Sequence, residues 1–145
     1  MAERADFYVL EGSDARERLK FACRVIAKAV DAELRVLVWC SDAAELQAFD
    51  DLLWSHAQDS FIPHEPAGPD SSWDETPVLL ACTEPAPAGA EVLVNLTSEV
   101  PAAAAGVARV VEVIDSDPAR RQAGRERFKL YRSSGAATET HNISA

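Results

Sequence analysis

A chain of 145 residues, 48% hydrophobic and 26% charged, holds enough apolar side chains for one core and has no room for a second domain of ordinary size. Its 24 acidic residues outnumber 14 basic ones, and the resulting net charge of -10 disfavours general wrapping of a nucleic acid. No run approaches the roughly 20 apolar residues of a bilayer span, and residues 1–6 lack the basic-then-apolar pattern of a secretion signal, so a cytoplasmic protein is expected. Cys23, Cys40 and Cys82 are an odd number, widely spaced among aliphatics, and read as buried reduced thiols.

Residues 7–10 form a short apolar run before Gly12, which suits a strand buried on both faces. From Asp14, Leu19, Ala22, Cys23, Ile26 and Val30 fall at helical spacing, with Asp14 and Glu17 spaced as a capping box. Residues 35–40 read as a second buried strand leading directly into a helix, where Asp42 and Glu45 repeat the capping spacing and Leu46, Phe49 and Leu53 make the apolar stripe. Trp54 stands at the border of that stripe. Residues 65–77 read as irregular surface chain, residues 78–82 and 92–96 as two more strands, and the alanine-rich residues 102–108 as a short helix. Residues 109–115 make the last predicted strand, and Asp117-Pro118 opens a final helix with an acidic cap and proline at its first position. Residues 133–145 are too polar to pack and are expected to be a mobile tail beyond a single domain of residues 1–132. Apolar strands alternating with helices imply a Rossmann-like three-layer α/β sandwich, its mostly parallel sheet covered on both faces.

Chemical motifs are scarce. The first strand-to-helix turn carries one glycine and two carboxylates, and neither phosphate-binding glycine pattern occurs, so no nucleotide cofactor is expected. His56, His64 and His141 belong to no zinc-ligand spacing, no metal is expected, and His64 has no nucleophile motif beside it to serve. Charge is the informative feature. Residues 120–132 hold six basic residues and one acid, a local +5, whereas the preceding 119 residues carry a net -14. Arg121, Arg125, Phe128 and Arg132 fall on one helical face with Lys129 beside them, while Ala119, Ala123 and Leu130 lie opposite and are expected to meet the sheet. An aromatic ring among cations suits an acidic, apolar peptide; a solvated basic face with Phe128 folded back is the alternative. Trp54, Phe61, Ile62 and Pro63 form a second candidate surface, read either as core or as an anchor patch for a partner.

Ala5-Asp6-Phe7-Tyr8-Val9-Leu10, Leu53-Trp54 followed by Ser60-Phe61-Ile62-Pro63-His64, and Arg125-Glu126-Arg127-Phe128-Lys129-Leu130-Tyr131-Arg132 resemble the chi subunit family of the bacterial DNA polymerase III holoenzyme, over about residues 5 to 132. The resemblance implies a non-catalytic adaptor of Rossmann-like fold, associated with the clamp loader and with the replisome in the cytoplasm. It implies a surface for the psi subunit, carried onto Trp54, Phe61, Ile62 and Pro63. A second surface, for the acidic, phenylalanine-ending tail of single-stranded-DNA-binding protein, carries onto Arg125, Phe128 and Lys129, with Arg121 and Arg132 as electrostatic support. A repair helicase is a further partner that the resemblance leaves open, and direct nucleic-acid binding is not expected. The competing reading is a small-ligand or nucleotide-binding α/β enzyme, which the missing phosphate turn disfavours.

Overall fold

The computed structural model of the chain describes residues 2–56 and 61–144. Seven strands pair into one sheet: β1 (Arg4–Leu10), β2 (Val36–Trp39), β3 (His64–Pro66), β4 (Val78–Ala81), β5 (Val92–Asn95), β6 (Arg109–Ile114) and β7 (Ala137–Ile143). Their spatial order is β3-β4-β2-β5-β6-β1-β7, and every pairing is parallel. The central strands β2, β4 and β5 are buried at every position, the mark of a sheet covered on both faces.

Helices α1 (Ala15–Asp31) and α2 (Ala43–Ser55) cover one face, where Ile26, Phe49 and Leu53 pack on Val36, Val38, Leu80 and Val94. Helix α3 (Pro118–Ser133) and a 3-10 turn (Ala102–Gly106) cover the other, where Phe7, Leu37, Leu93, Val110 and Tyr131 meet. The expected acidic caps are in place. Asp14 accepts from the Arg16 backbone N–H and Asp117 from that of Arg120, while Asp42 accepts from Glu45 N–H as the Glu45 carboxylate reaches back to Ser41 N–H. Glu17 faces Lys20 at 3.4 Å instead of closing its own box. Cys23 and Cys40 are free and buried, and burial pushes both thiols up to about 12; Cys82, expected to be buried as well, is only half-buried.

Residues 133–145 depart most from the sequence reading. In place of a mobile tail, residues 137–143 run alongside β1 as the edge strand β7, in a register from Arg4 opposite Ala137 to Leu10 opposite Ile143. The reversal is a Schellman closure. Gly135 N–H donates to Arg132 O, Ala136 N–H donates to Tyr131 O, and Gly135 takes φ +95°, the left-handed conformation that ends helices. Ala136 is then buried, and Arg4 and Glu139 pair at 2.6 Å across the two strands. A polar strand at a sheet edge gives up only one face to the core, so it carries no apolar run to announce it.

Candidate functional site

Helix α3 turns a different face to the sheet than its wheel implies. The buried positions are Gly124, Arg127 and Tyr131, whereas Leu130 is 53% exposed and Ala119 is exposed, so the expected contact face of Ala119, Ala123 and Leu130 is overturned. The cause is a buried polar anchor. Glu112, in the middle of β6, accepts hydrogen bonds at Oε2 from Tyr131 Oη (2.8 Å), Asn95 Nδ2 (2.9 Å) and Arg127 Nε (3.1 Å); its Oε1 lies 3.0 Å from Arg127 Nη2 without an aligned hydrogen bond. Complete burial raises the Glu112 carboxyl above the ordinary range against the pull of Arg127, and burial together with Glu112 raises the Tyr131 phenol. Arg127 also donates to Ser98 O at 2.9 Å. With three side chains donating to one buried carboxylate, two of them from the helix itself, α3 is fixed in rotation about its axis.

That rotation sets Phe128 at the border of the helix. The ring is half-buried, meets Phe7 edge-on at a centroid distance of 5.2 Å, and lines a cavity of about 380 Å³ between α3 and the β1–β7 edge. Arg121, Arg125 and Lys129 form its rim, Val9 and Ile114 contribute from the sheet, Gly124 from the helix and Thr140 from β7. Gly124 sets how closely α3 sits on β6. A β-carbon there would stand 2.9 Å from Ile114 Cδ1, so only glycine lets the helix approach β6 this closely without moving that side chain. Four of the five basic-face residues expected to act together are thus gathered at one cavity; Arg132 is exposed and does not line it.

The local +5 divides into two populations. Arg120 forms a bidentate pair with Asp115, at 2.8 and 2.7 Å, and Arg127 is consumed by Glu112, so both are internal struts. Burial would raise the Asp115 carboxyl, but the Arg120 hydrogen bonds hold it below the carboxylate range. Among the described residues, Arg121 and Arg125 have no carboxylate within 4 Å. Arg121 donates to Asp115 O and Leu10 O, and Arg125 reaches Gln122 at 3.5 Å. Lys129 stands 3.7 Å from Glu126, both side chains largely exposed, an ion pair of little strength. The cavity therefore combines an apolar lining with cations that the chain's own acids leave mostly unneutralised. Glycine in the middle of a helix and a glutamate inside an otherwise aliphatic strand were the sequence signals for Gly124 and Glu112.

The second candidate surface divides differently. Trp54 and Phe61 are 52% and 69% exposed with ring centroids 5.1 Å apart, a displayed aromatic pair, and Pro63 is half-buried beside them. Ile62 does not belong to that surface: it is 4% exposed and packs into the α1/α2 core, because the alternation of an extended segment turns it inward. Ser60, from the same motif, lies outside the described residues. His64 is buried beneath Trp54 at a centroid distance of 4.3 Å, with Nδ1 2.6 Å from Ile62 O and Nε2 3.2 Å from Asp50 O, which makes it a support for the patch.

Asp6, Glu139 and His141 converge closely enough to hold a cation between them. The Asp6 carboxylate is already taken, with Arg109 Nε at 2.6 Å, Arg4 Nε at 2.9 Å and His141 Nε2 at 3.2 Å. Burial would raise Asp6, but these hydrogen bonds hold it at about 2. Two guanidinium groups supply the positive charge a metal ion would bring, so the donor set fits a structural hub that ties β7 to β1. Among the described residues, no helix is long and apolar enough to cross a membrane.

A wholly parallel sheet covered on both faces makes the chain a Rossmann-like α/β protein. Residues 1–139 match the family described as DNA polymerase III chi subunit, HolC, and the chain belongs to that family. It is 38% identical to DNA polymerase III subunit chi of Pseudomonas aeruginosa over 97% of this chain and 96% of that one. It is 27% identical to the Escherichia coli subunit over 90% and 92% of the two chains, and 26% identical to that of Haemophilus influenzae over 99% of each. Membership places the chain in DNA replication, in association with the polymerase III complex. A likeness of fold alone extends to T4 UvsW (TM-score 0.67, 10% identity, 97% of this chain and 41% of that one). It extends also to a DEAD box protein from Methanococcus jannaschii (TM-score 0.57, 12% identity, 96% and 42%). The chain thus spans about two fifths of each of these longer proteins.

Proposed function

We propose that this chain is a non-catalytic adaptor of the replication complex, which holds the acidic, phenylalanine-ending C-terminal tail of single-stranded-DNA-binding protein in the α3 cavity and the psi subunit on the Trp54–Phe61 patch. The observation that carries the reading is the pairing of an apolar cavity of about 380 Å³ with the cations of Arg125 and Lys129 at its rim. The tail's terminal carboxylate and acidic side chains meet Arg125 and Lys129, and its apolar end lies against Phe128 and Ile114. Arg121 supports the field from the next turn and Arg132 from outside the cavity. Charge-assisted hydrogen bonds contribute roughly 1.5 to 3 kcal/mol each, and a micromolar complex needs about 8 kcal/mol in all, so a few such contacts with one buried ring suffice. The Trp54–Phe61 pair suits psi because an exposed aromatic pair backed by a buried, hydrogen-bonded histidine presents a rigid apolar anchor.

Isothermal titration with a synthetic acidic peptide ending in phenylalanine tests the first half. Lys129→Glu or Arg125→Glu weakens binding by about tenfold or more, and added salt weakens the wild-type complex; unchanged affinity in both variants overturns the assignment. Copurification with psi tests the second half: Trp54→Ala or Phe61→Ala abolishes it, and retention in both variants overturns that surface.

A further inference from the structure

Four cations recur along the outer face of α1, one per turn, at Arg16, Lys20, Arg24 and Lys28. Among the described residues the stripe makes one ion pair on its own helix, Lys20 with Glu17 at 3.4 Å, and Asp31, three residues beyond Lys28, forms none with it. Like charges at i and i+4 repel, a small destabilisation that an acidic ligand would relieve. The stripe runs beside the open edge of the sheet. On this face β1 turns Tyr8 and Leu10 toward the α1 core, and the register sets His141 and Ile143 of β7 next to them, both half-buried.

The result is a groove of about 900 Å³, walled by Arg16, Lys20 and Arg24 and floored by Leu10, Phe21 and Ile143. Past Phe21 and Arg24 it continues into a hollow of about 220 Å³ beside Lys28 and Arg109. Most carboxylates at its mouth are engaged: Asp14 caps α1, Glu17 faces Lys20 and Asp115 is held by Arg120, while Glu11 is exposed at the rim. Neither surface of the proposed adaptor uses the groove, which lies on the opposite face of the sheet from the α3 cavity.

We infer that this groove docks an acidic segment of a partner protein that also carries apolar side chains. Its carboxylates meet Arg16, Lys20 and Arg24, and its apolar groups lie on Leu10 and Ile143. Charge complementarity selects an anion, and the floor selects peptide over nucleic acid. Phe21 has the Arg24 guanidinium 5.4 Å above it and the Tyr8 ring 5.4 Å away, and Tyr8 is itself stacked on His141 at 4.7 Å, so these rings are already occupied by one another and do not offer a stacking platform for bases. The net charge of -10 also opposes a long polyanion.

The test is fluorescence anisotropy with a labelled peptide of about a dozen residues, aspartates and glutamates interrupted by leucines. The peptide is amidated at its C-terminus, so that it presents no terminal carboxylate to the α3 cavity. Titration into Arg125→Glu/Lys129→Glu protein keeps the two sites distinguishable. Saturable binding is expected, weakened about tenfold or more by adding Arg16→Glu, Lys20→Glu and Arg24→Glu, and equally by replacing the leucines with serines. Lys20→Glu alone, a substitution at a partly exposed position, weakens it severalfold and serves if the combined variant fails to fold by circular dichroism. No binding, binding indifferent to the α1 charges, or tighter binding of an oligothymidylate of similar length overturns the inference.

Discussion

Arg127 and Glu112 form an ion pair 3.0 Å long, sealed between the last helix and the sheet, and the rotation of α3 follows from it. Breaking one side leaves a buried charge uncompensated, so Arg127→Met costs about 3 to 5 kcal/mol in urea denaturation, and Arg127→Met with Glu112→Leu recovers much of the loss. The single variant also enlarges a pH dependence that the wild type already carries. With its carboxyl raised by burial and no guanidinium opposing the rise, Glu112 binds its proton more tightly folded than unfolded, so the variant loses more stability than the wild type as pH rises above the ordinary carboxyl range. A double variant as unstable as the single one contradicts this account.

Gly124 and Ile114 pack closely together in the wall of the α3 cavity. Gly124→Val brings a branched side chain to where Ile114 Cδ1 lies 2.9 Å from the ideal β-carbon, and Ile114 is the flexible end of a side chain that can shift. The expected result is a folded protein by circular dichroism with tail-peptide affinity reduced about tenfold, or about 1.4 kcal/mol. Full affinity in a folded variant means the peptide binds elsewhere.

Gly135 and β7 are coupled to the same cavity. Gly135→Val forces a branched residue to φ +95° and costs about 1 to 2 kcal/mol. Since Thr140 of β7 lines the cavity, loosening the strand also weakens the peptide complex. Amide exchange is the direct readout: protection of residues 137–143 falls in the variant while that of β2 and β5 persists.

Asp6 gives the wild-type protein an acid limb. Its folded value of about 2 lies below the ordinary 3.8, so its contribution is complete above about pH 5 and drains away as pH falls from about 4 toward 2. Asp6→Asn removes about 2 kcal/mol at pH 7, and the gap from wild type narrows by pH 3. A pH-independent gap in urea denaturation contradicts the assignment.

The buried strands and helix caps were legible because each is written locally, as an aliphatic run or an acid before a helix. Strand β3 was not, since its three residues carry only His64 inward. Strand β7 was not, since Thr138, Glu139, Thr140 and His141 are the polar residues an edge requires, and the helix stop at Gly135 was the available sign of a chain turning back. The basic face of α3 was legible as a cluster, yet its orientation was not: the helix is anchored through Arg127 and Tyr131 to a buried glutamate, and a wheel that seeks apolar residues turns Leu130 inward instead. The count of +5 likewise concealed that Arg120 and Arg127 are spent inside the protein. Ile62 entered the candidate patch because neighbours in sequence along an extended segment face opposite ways.

The central claim is that the α3 cavity holds another protein's acidic C-terminus. Chemical-shift mapping with the phenylalanine-ended peptide on isotope-labelled protein tests it most directly. The account predicts perturbed amides in residues 121–129, at Phe7, Val9 and Ile114, and at Thr140, all diminished when the peptide's terminal carboxylate is amidated. Perturbations confined to the Trp54–Phe61 patch or to α1, or a pattern indifferent to amidation, would contradict it.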